Sequence, residues 1–395
     1  MRIRVGDISK INELSLLKND SFDTILYLDT SNLTENKVDT LQKIDLSIDK
    51  LPSRAKRKVR KNTILFSNVR PIQRHYGLLE ETPNNLIVST GFTTLNPDDS
   101  VIDEYFLYYL LTQDSTINYL QMIAENSVSS YPSITSNDIA DLNFVIPDSI
   151  EEQKRTVKII KLIDQKIALN NQINEELEAM AKTLYDYWFV QFDFPNENGK
   201  PYKSSGGKMV YNDQLKREIP EGWGVKPLGE LADLYQPQTL SEKDLISNGR
   251  YFVYGANGII GKYNKYNHET PMLAIACRGN SCGVINITQP FSWITGNAMV
   301  VKPKFEYICI DYLKYSLLNG NIYKTISGSA QPQITRTNLS PLLLLQADET
   351  ILSEYADRIN SMFSFRIKNF QQNQELTQLR DWLLPMLMNG QVKVE

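Results

Sequence analysis

The chain contains a long internal repeat, which constrains its fold more than any other feature of the sequence. The segment SSYPSITSNDIADL (129–142) returns as SAQPQITRTNLSPL (329–342), 200 residues later and without a gap. The shared residues are Ser129, Pro132, Ile134, Thr135 and Leu142, which recur as Ser329, Pro332, Ile334, Thr335 and Leu342. A period this long indicates the duplication of a whole domain, because solenoid repeats span only about 20–50 residues.

Further pairs of segments occur in the same order in both halves. The pairs are VGDI (5–8) with LGEL (228–231), TILFSNVRP (63–71) with PMLAIACRG (271–279), VSTGFTTL (88–95) with WITGNAMV (293–300), and EYFLYYLLT (104–112) with DYLKYSLLN (311–319). Strand-like runs and short helix patterns are mixed in both halves. We therefore predict an α+β protein with two similar globular domains.

Each half ends in a long segment with the residue spacing of a coiled coil. The first segment begins at a capping box, in which Ser149 is the N-cap and Glu152 follows three residues later. Seam residues then recur in steps of three and four, and the polar ones among them commonly fix register. The seam positions are Ile160, Ile163, Ile167, Asn170, Asn174, Leu177, Ala181, Leu184 and Trp188 in the first segment, and Ile359, Met362, Arg366, Phe370, Asn373, Leu376, Leu383 and Leu387 in the second. We predict two helices, each ~60 Å long, that pack as an antiparallel coiled coil with a pseudo-two-fold repeat; two ordinary core helices are the alternative.

The composition changes between Gln191 and Val225, where Gly, Pro, Asn and Ser accumulate. Such a composition is typical of a connector. We therefore predict a first globular domain (1–148), a long helix (149–190), a linker (191–225), a second globular domain (226–346) and a second long helix (347–395).

The distribution of charge favours a polyanionic partner, although the net charge is −4. Nine basic residues and no acidic residue lie between Lys50 and Leu79. A second stretch without acids runs from Thr270 to Phe305 and contains Arg278, Lys302 and Lys304. A polyanion responds to such local excess of one sign; a solvated basic face is the alternative.

The sequence contains no convincing catalytic motif. PDSIEEQK (147–154) contains the letters of a metal-nuclease signature, but Asp148 and Glu152 stand at a helix start, where acids favour the helix dipole. The Gly-rich YGANGIIG (254–261) is not followed by a helix pattern and predicts a β-turn instead of a phosphate loop. A methyl-donor loop and an Asn/Asp-Pro-Pro-aromatic tetrapeptide are both missing from the sequence. We therefore predict a non-catalytic chain.

Cysteine usage and the apolar runs indicate a cytoplasmic protein. The chain has three cysteines, Cys277, Cys282 and Cys309, an odd number that argues against a disulfide framework. With His268 they offer a loose zinc-ligand pattern, but buried thiols are favoured, so no metal site is expected. The start of the chain, MRIRVGDISK, has no signal-peptide core, and no apolar run approaches the ~20 residues of a membrane helix.

Several motifs together resemble the specificity subunit of type I restriction–modification enzymes. AMAKTLYDYWFVQ (179–191) followed by FDFPNENGKPYKSSGGKMV (192–210) is similar to the family's central conserved region. IPEGW (219–223) before LGEL (228–231) is similar to the start of its second target-recognition domain, and QPQIT (331–335) to its Gln-Pro element. The first copy of that element departs from the pattern at Tyr131 and Ser133. The resemblance covers nearly the whole chain.

This resemblance implies a chain that binds double-stranded DNA without catalysis and contacts a bipartite site through its two domains. It further implies two methyltransferase subunits and up to two restriction and motor subunits as partners. S-adenosylmethionine, ATP and Mg would then be bound by those partners, with no cofactor in this chain. Alternatives are the recognition chain of a related bifunctional restriction enzyme, a stand-alone DNA nuclease, and a scaffold that does not bind DNA.

The duplication also separates the candidate DNA-binding residues. An element that both halves share cannot distinguish two DNA sequences, so the Pro-x-Ile-Thr element is expected to shape a loop, hold a phosphate or contact a partner. Residues that differ between the halves are the candidate base contacts. They are Asn68, Arg70, Gln73, Arg74, His75 and Tyr76 in the first half, and Arg278, Asn280, Ser281, Gln331 and Gln333 in the second. Further predicted DNA-binding residues are Arg336 and, as phosphate contacts, Arg54, Lys56, Arg57, Lys58, Arg60 and Lys61.

If the long helices set the distance between two half-sites, their length should control the spacer of the recognised DNA. We expect an insertion of four residues near Asn170, about one helical turn, to lengthen the non-specific spacer and to leave both half-sites unchanged. Sequencing of methylated DNA from cells with the altered chain measures the spacer directly. A spacer of unchanged length would contradict this role of the helices.

Overall fold

The computed structural model describes residues 1–17, 19–127, 131–328 and 331–392, so Ser129 and Ser329 of the repeat lie outside the described residues. The chain divides into two compact units. Unit 1 consists of Met1–Ala168 and Asn373–Glu395, and unit 2 consists of Leu169–Gln372. Each unit mixes strands and short helices and includes a part of both long helices.

A series of short strands and a few short helices precede the first long helix. The strands are β1 (Arg2–Arg4), β2 (Ser9–Ile11), β3 (Thr24–Leu28), β4 (Leu33–Thr34), β5 (Lys37–Val38), β6 (Gln42–Asp45), β7 (Ala55–Lys58), β8 (Thr63–Ser67), β9 (Tyr76–Leu79), β10 (Leu86–Ser89), β11 (Phe92–Pro97) and β12 (Asn143–Val145). The helices are α1 (Val5–Ile8), α2 (Glu104–Thr112), α3 (Asp114–Glu125), α4 (Ser136–Ala140) and the long α5 (Ile150–Tyr185), which continues as a π-helical turn over Asp186–Val190.

The later elements repeat much of this order. The strands are β13 (Met209–Asn212), β14 (Arg217–Pro220), β15 (Gly224–Pro227), β16 (Ala232–Tyr235), β17 (Tyr251–Gly255), β18 (Gly258–Tyr263), β19 (Leu273–Ala276), β20 (Ile285–Ile287), β21 (Trp293–Ile294), β22 (Ala298–Pro303) and β23 (Leu343–Gln346). The helices are α6 (Leu228–Leu231), α7 (Ile310–Asn319), α8 (Arg336–Leu339) and the long α9 (Glu349–Met388). None of the described helices has both the length and the apolar character to cross a membrane.

The sheets of the two units have matching topology. Unit 1 has the strand orders β2-β11-β8-β9 and β6-β3-β10-β7, and unit 2 has β16-β22-β19-β20 and β18-β17-β21. The register of the equivalent strand pairs agrees as well. The last residue of β8, Ser67, pairs with the first residue of β11, Phe92, and the last residue of β19, Ala276, pairs with the first residue of β22, Ala298. The second sheet named for each unit contains one parallel pair, β3 with β10 and β17 with β21. The edge strand β7, which carries part of the basic run, has no counterpart among the described strands of unit 2.

Burial follows this equivalence. Ile64 and Phe66 of β8 face the larger core of unit 1, together with α2, while Leu65 faces a smaller core. In unit 2, Leu273 and Ile275 of β19 face the larger core and Ala274 the smaller one. Both faces of the strand are therefore buried, which explains why its sequence is continuously apolar and does not alternate.

The long helices pair antiparallel within each unit, as the heptad spacing predicts. In unit 1, Ile160 of α5 shares the core with Leu387 of α9. In unit 2, Asn170 donates a hydrogen bond to Gln372 at 2.8 Å, and Tyr355 donates to the carbonyl of Ala181 at 3.4 Å. Residue numbers of the contacts therefore increase along α5 and decrease along α9, as in an antiparallel pair.

The segment predicted to be a linker is folded and contributes to the core of unit 2. Its strands β13 and β14 form a hairpin. Phe192, Phe194 and Ile219 are buried, and the ring of Phe194 stacks on Trp223 with centroids 4.8 Å apart. Gly199, Gly206 and Gly222 have left-handed backbones outside this hairpin, but the aromatic side chains bury enough apolar area to fix the segment. The Gly, Pro, Asn and Ser content of the segment predicts an unstructured connector, whereas the segment forms a hairpin and part of the core.

A charged cluster joins the helix pair to α7 in unit 2. Arg366 of α9 contacts Glu178 of α5 at 2.9 Å and Asp311 of α7 at 3.4 Å, and Lys314 of α7 also binds Glu178. Burial acts to raise the pKa of Glu178, but the hydrogen bond from Lys314 and the charges of Lys314 and Arg366 outweigh it, so the pKa is lowered. Burial raises the pKa of Asp311, whose side chain is 2% exposed.

We expect Glu178→Gln to lower the free energy of unfolding at pH 7 by about 1 kcal/mol, because the carboxylate is partly exposed and its ion pairs are partly screened. A lowered pKa in the folded state gives stability above the unfolded pKa of about 4.3, and this stability is lost as the pH falls through the folded pKa. Urea unfolding followed by tryptophan fluorescence should therefore show a difference that fades below about pH 4. The matched variant Asp311→Asn should not show this dependence, since the pKa of Asp311 is shifted in the opposite direction. A deficit of Glu178→Gln that remained undiminished well below pH 4 would contradict the electrostatic explanation.

Candidate nucleic-acid interface

The same backbone clamp occurs at the end of the central strand in both units. In unit 1, Ile134 N donates to Asn68 O at 2.8 Å, and Arg70 N donates to Pro132 O at 2.9 Å. In unit 2, Ile334 N donates to Cys277 O at 3.0 Å, and Gly279 N donates to Pro332 O at 3.1 Å. We call this pair of hydrogen bonds the strand-end clamp.

The clamp corrects the alignment of the two halves by one residue. Val69 bridges Ser133 in unit 1, and Arg278 bridges Gln333 in unit 2. Arg278 is therefore equivalent to Val69, although the sequence motifs align it with Arg70. The residue equivalent to Arg70 is Gly279, and both have left-handed backbones, with φ of +46° and +75°. The sequence comparison matched the two arginines by identity, whereas backbone pairing fixes the register.

The shared Pro-x-Ile-Thr element shapes a loop, one of the three roles expected for it. Ile134 and Ile334 are buried in their respective cores. Thr135 caps α4 in a capping box with Asp138, and Thr335 caps α8 by accepting a hydrogen bond from Asn338 N at 3.2 Å. The identical residues of the repeat therefore serve the same packing and capping functions twice.

In unit 1, the candidates Arg70, Gln73 and Arg74 lie on or beside a short turn after β8, which we call the tip. A 3₁₀ turn over Pro71–Gln73 is flanked by left-handed residues at Arg70 and Arg74, with φ of +46° and +57°. The guanidinium of Arg74 forms ion pairs with Asp114 at 2.5 Å and with Glu35 at 3.5 Å. Arg70 and Gln73 are exposed. A left-handed conformation costs about 1 kcal/mol or more for a residue with a side chain, a cost that the glycine at the equivalent position of unit 2 avoids.

The other candidates on this segment make contacts inside the fold. Asn68 accepts a hydrogen bond from Thr93 at 2.6 Å, and His75 Nδ1 lies 2.7 Å from Leu33 O. Tyr76 is buried against Phe66, and burial raises its pKa to about 12. These side chains support the tip from within. Their assignment as base contacts stays a prediction. The exposed Arg70 and Gln73 are better placed to contact a base.

The basic run surrounds the edge strand β7 of unit 1. Its exposed members are Arg54, Lys56, Arg60 and Lys61. Lys58 forms an ion pair with Asp20 at 3.0 Å, and burial lowers the pKa of the half-buried Arg57. Four exposed cations along one edge suit contacts with a line of phosphates better than contacts with a single base.

In unit 2, the candidate residues surround an open cleft of about 270 Å³ beside the clamp. Its polar wall is formed by Gln236, Arg278, Gln333 and Arg336. The remaining candidates lie outside this wall: Asn280 and Gln331 are exposed and Ser281 is half-buried. The structure therefore brings Arg278, Gln333 and Arg336 together at one place.

Gln236 belongs to this cleft but is absent from the residues predicted from sequence. It follows β16, far from Arg278 in the chain. A signal was present, because QPQ occurs both at 236–238 and at 331–333. The two copies meet at the cleft, where Gln236 and Gln333 line the same wall.

The cysteines and His268 make contacts inside unit 2. Cys277 Sγ donates to Asn297 O at 3.0 Å, and burial raises the pKa of Cys309 to about 12. His268 Nε2 lies 2.8 Å from the hydroxyl of Tyr235, and burial lowers the pKa of the imidazole. Within the described ranges, no group of three or more His, Cys, Asp or Glu side chains is arranged to hold a metal.

Comparison with known proteins gives consistent matches to one family. A family model described as type I restriction modification DNA specificity domain matches residues 2–179 and 220–344, and each region contains one strand-end clamp. The chain is similar to the type I restriction enzyme HindI specificity subunit of Haemophilus influenzae, with 25% identity over 98% of each chain. It is also similar to the MjaIX specificity subunit of Methanocaldococcus jannaschii, with 26% identity over 85% of this chain and 78% of that one. Its fold resembles the crystal structure of a type I restriction-modification system S subunit from M. genitalium, with a TM-score of 0.53 and 14% identity over 98% of this chain and 95% of that one.

Proposed function

The chain belongs to the type I restriction–modification DNA specificity family, and from this premise we propose that each of its units contacts one half of a bipartite site in double-stranded DNA. As a specificity subunit, it selects the DNA on which such a system acts. The observation that carries the proposal is the pair of strand-end clamps, which have different residues at equivalent positions: Val69 and Arg70 in unit 1, and Arg278 and Gly279 in unit 2. A repeated scaffold with unequal polar groups suits two half-sites of unequal sequence.

We further propose that this chain supplies recognition and that its partners supply the chemistry. Two methyltransferase subunits and up to two restriction and motor subunits would assemble on it, and S-adenosylmethionine, ATP and Mg would be bound by those partners. The sequence supports this division, since it contains no methyl-donor loop and no phosphate-binding loop of the Walker type. The cytoplasm is where such a complex would meet DNA.

The two kinds of basic residue have different proposed tasks. Exposed cations around β7 follow one edge of unit 1 and would bind phosphates, which contributes affinity for any sequence. Arg278 is held at the clamp of unit 2 by the bridge between its backbone and that of Gln333. From this backbone position the exposed guanidinium would donate to guanine O6 and N7 in the major groove.

Independent recognition by the two units predicts a modular exchange. Replacing residues 1–148 with the equivalent domain of another specificity subunit should change one half of the methylated motif and leave the other half intact. Sequencing of methylated DNA from cells that contain the chimera and its methyltransferase subunits measures both halves at once. A change in both halves would contradict independent recognition.

Substitutions should separate phosphate contacts from base contacts. We expect Lys56→Ala with Lys61→Ala to weaken binding to every sequence alike and to reduce the salt slope by about two, roughly one per lost phosphate contact. Lys58 is left in place because it is paired with Asp20. Arg278→Ala should instead reduce discrimination at one base pair by about 1–3 kcal/mol.

Competition binding of the complex with its methyltransferase subunits, against single-base variants of the site, distinguishes the two effects. If Arg278→Ala lowered the affinity for all DNA variants equally, Arg278 would be another phosphate contact.

A further inference from the structure

The cleft of unit 2 has an equivalent position in unit 1, and a hydrogen-bonded network of side chains occupies that position. The strand register pairs Leu95 with Ile11 and Val301 with Leu234, so Asn12 of unit 1 corresponds to Tyr235 of unit 2. The clamp makes Asn68 equivalent to Cys277, and the helix caps make Ser136 equivalent to Arg336. The two units can therefore be compared residue by residue at this place.

Short polar side chains fill the position in unit 1. Asn12 Nδ2 donates to Ser136 Oγ at 2.8 Å, and Thr93 Oγ1 donates to Asn68 Oδ1 at 2.6 Å. The hydroxyls of Thr93 and Ser136 lie 2.9 Å apart, and Asn12 Oδ1 accepts a hydrogen bond from Thr94 N at 3.0 Å. In this network the side chains of unit 1 bind one another at the position where unit 2 has its cleft.

The corresponding side chains of unit 2 turn to other partners. Tyr235 contacts His268 at 2.8 Å, and Cys277 donates to Asn297 O at 3.0 Å. Arg336, in the place of Ser136, is exposed. The result is an opening of about 270 Å³ with Arg278, Gln236 and Gln333 on its wall.

Gln236 is held in a defined orientation at this opening. Its Nε2 donates to Cys277 Sγ at 3.2 Å and to Gly296 O at 3.3 Å. The loop that follows Gln236 lies directly on Gly296, where a Cβ would stand 2.8 Å from Thr239 Oγ1 and 2.9 Å from Pro237 O. Because the amide nitrogen donates inward, the group that Gln236 offers to a ligand is the acceptor Oε1.

We propose, on the basis of the proposed function, that this cleft receives the major-groove edge of a base pair and that Gln236 is a specificity-determining residue. Its Oε1 accepts a hydrogen bond from an exocyclic amino group, N6 of adenine or N4 of cytosine. Arg278 beside it can only donate. A base-pair edge presents both acceptors and an amino donor, whereas a phosphate presents acceptors alone, so a wall with a fixed acceptor among cations matches a base pair.

The test is to sequence methylated DNA from cells that contain the full chain with its methyltransferase subunits. In Gln236→Leu, one position of one half-site should become degenerate, with methylation of sites that differ there rising on the order of tenfold relative to the intact site. The other half-site should not change. Gln214→Leu is the matched control, because Gln214 is an exposed glutamine in the β13–β14 hairpin and should leave the motif intact.

The possible failures can be told apart. An equal decrease at all sites in Gln236→Leu, with the motif unchanged, would overturn the role of Gln236 and leave the proposed function standing. Gln236→Met provides a second substitution if the leucine variant does not accumulate, and an unchanged motif in it would overturn the role equally. If cells with the unaltered chain and cells without it had the same methylation pattern, the proposed function itself would be overturned.

Discussion

The strand-end clamp is the interaction on which the arrangement of the candidate interface depends. Two backbone hydrogen bonds tie the Pro-x-Ile-Thr segment to the residues that follow the central buried strand in each unit. Because these bonds use main-chain atoms, they do not restrict the side chains at the same positions. Ile134 and Ile334 then fix the segment to the core, and the following threonine starts a helix. Buried backbone groups must be paired, so the clamp can be retained while the outward-facing residues change.

Polar clusters on the long helices complement this scaffold within each unit. In unit 1, Asp164 accepts hydrogen bonds from Arg380 of the other helix and from Tyr109 of α2. In unit 2, Glu178 and Arg366 connect the helices to α7. Each cluster joins both helices to a short helix of its own globular part. A buried or half-buried ion pair adds little net stability, but its loss leaves a charge without a partner, so such clusters favour one register over its neighbours.

The sequence predicts the duplication, the antiparallel helices and the mixed α+β units because these depend on patterns repeated over many residues. It predicts contacts at single positions less well. Arg70 and Arg278 align as letters, yet the backbone places Val69 and Arg278 at equivalent positions. Gln236 was missed because its role comes from a loop that folds onto Gly296, about 60 residues later in the chain. The partners of Asn68 and His75 are likewise distant in sequence, which is why exposed polar residues could not be separated from internal ones.

The difference between the two units shows how one scaffold can present unlike surfaces. At the residue after the bridge, unit 1 places an arginine in a left-handed conformation and unit 2 places a glycine. Nearby, unit 1 has the short side chains of Asn68 and Ser136, which belong to one hydrogen-bonded network, and unit 2 has Cys277 and Arg336, which bind no such network within the described part of the chain. Unit 1 therefore offers an exposed arginine where unit 2 offers a glycine and an open cleft. Both follow from a few side-chain exchanges around an unchanged pair of backbone hydrogen bonds, so the polar surface can change without a change in the fold.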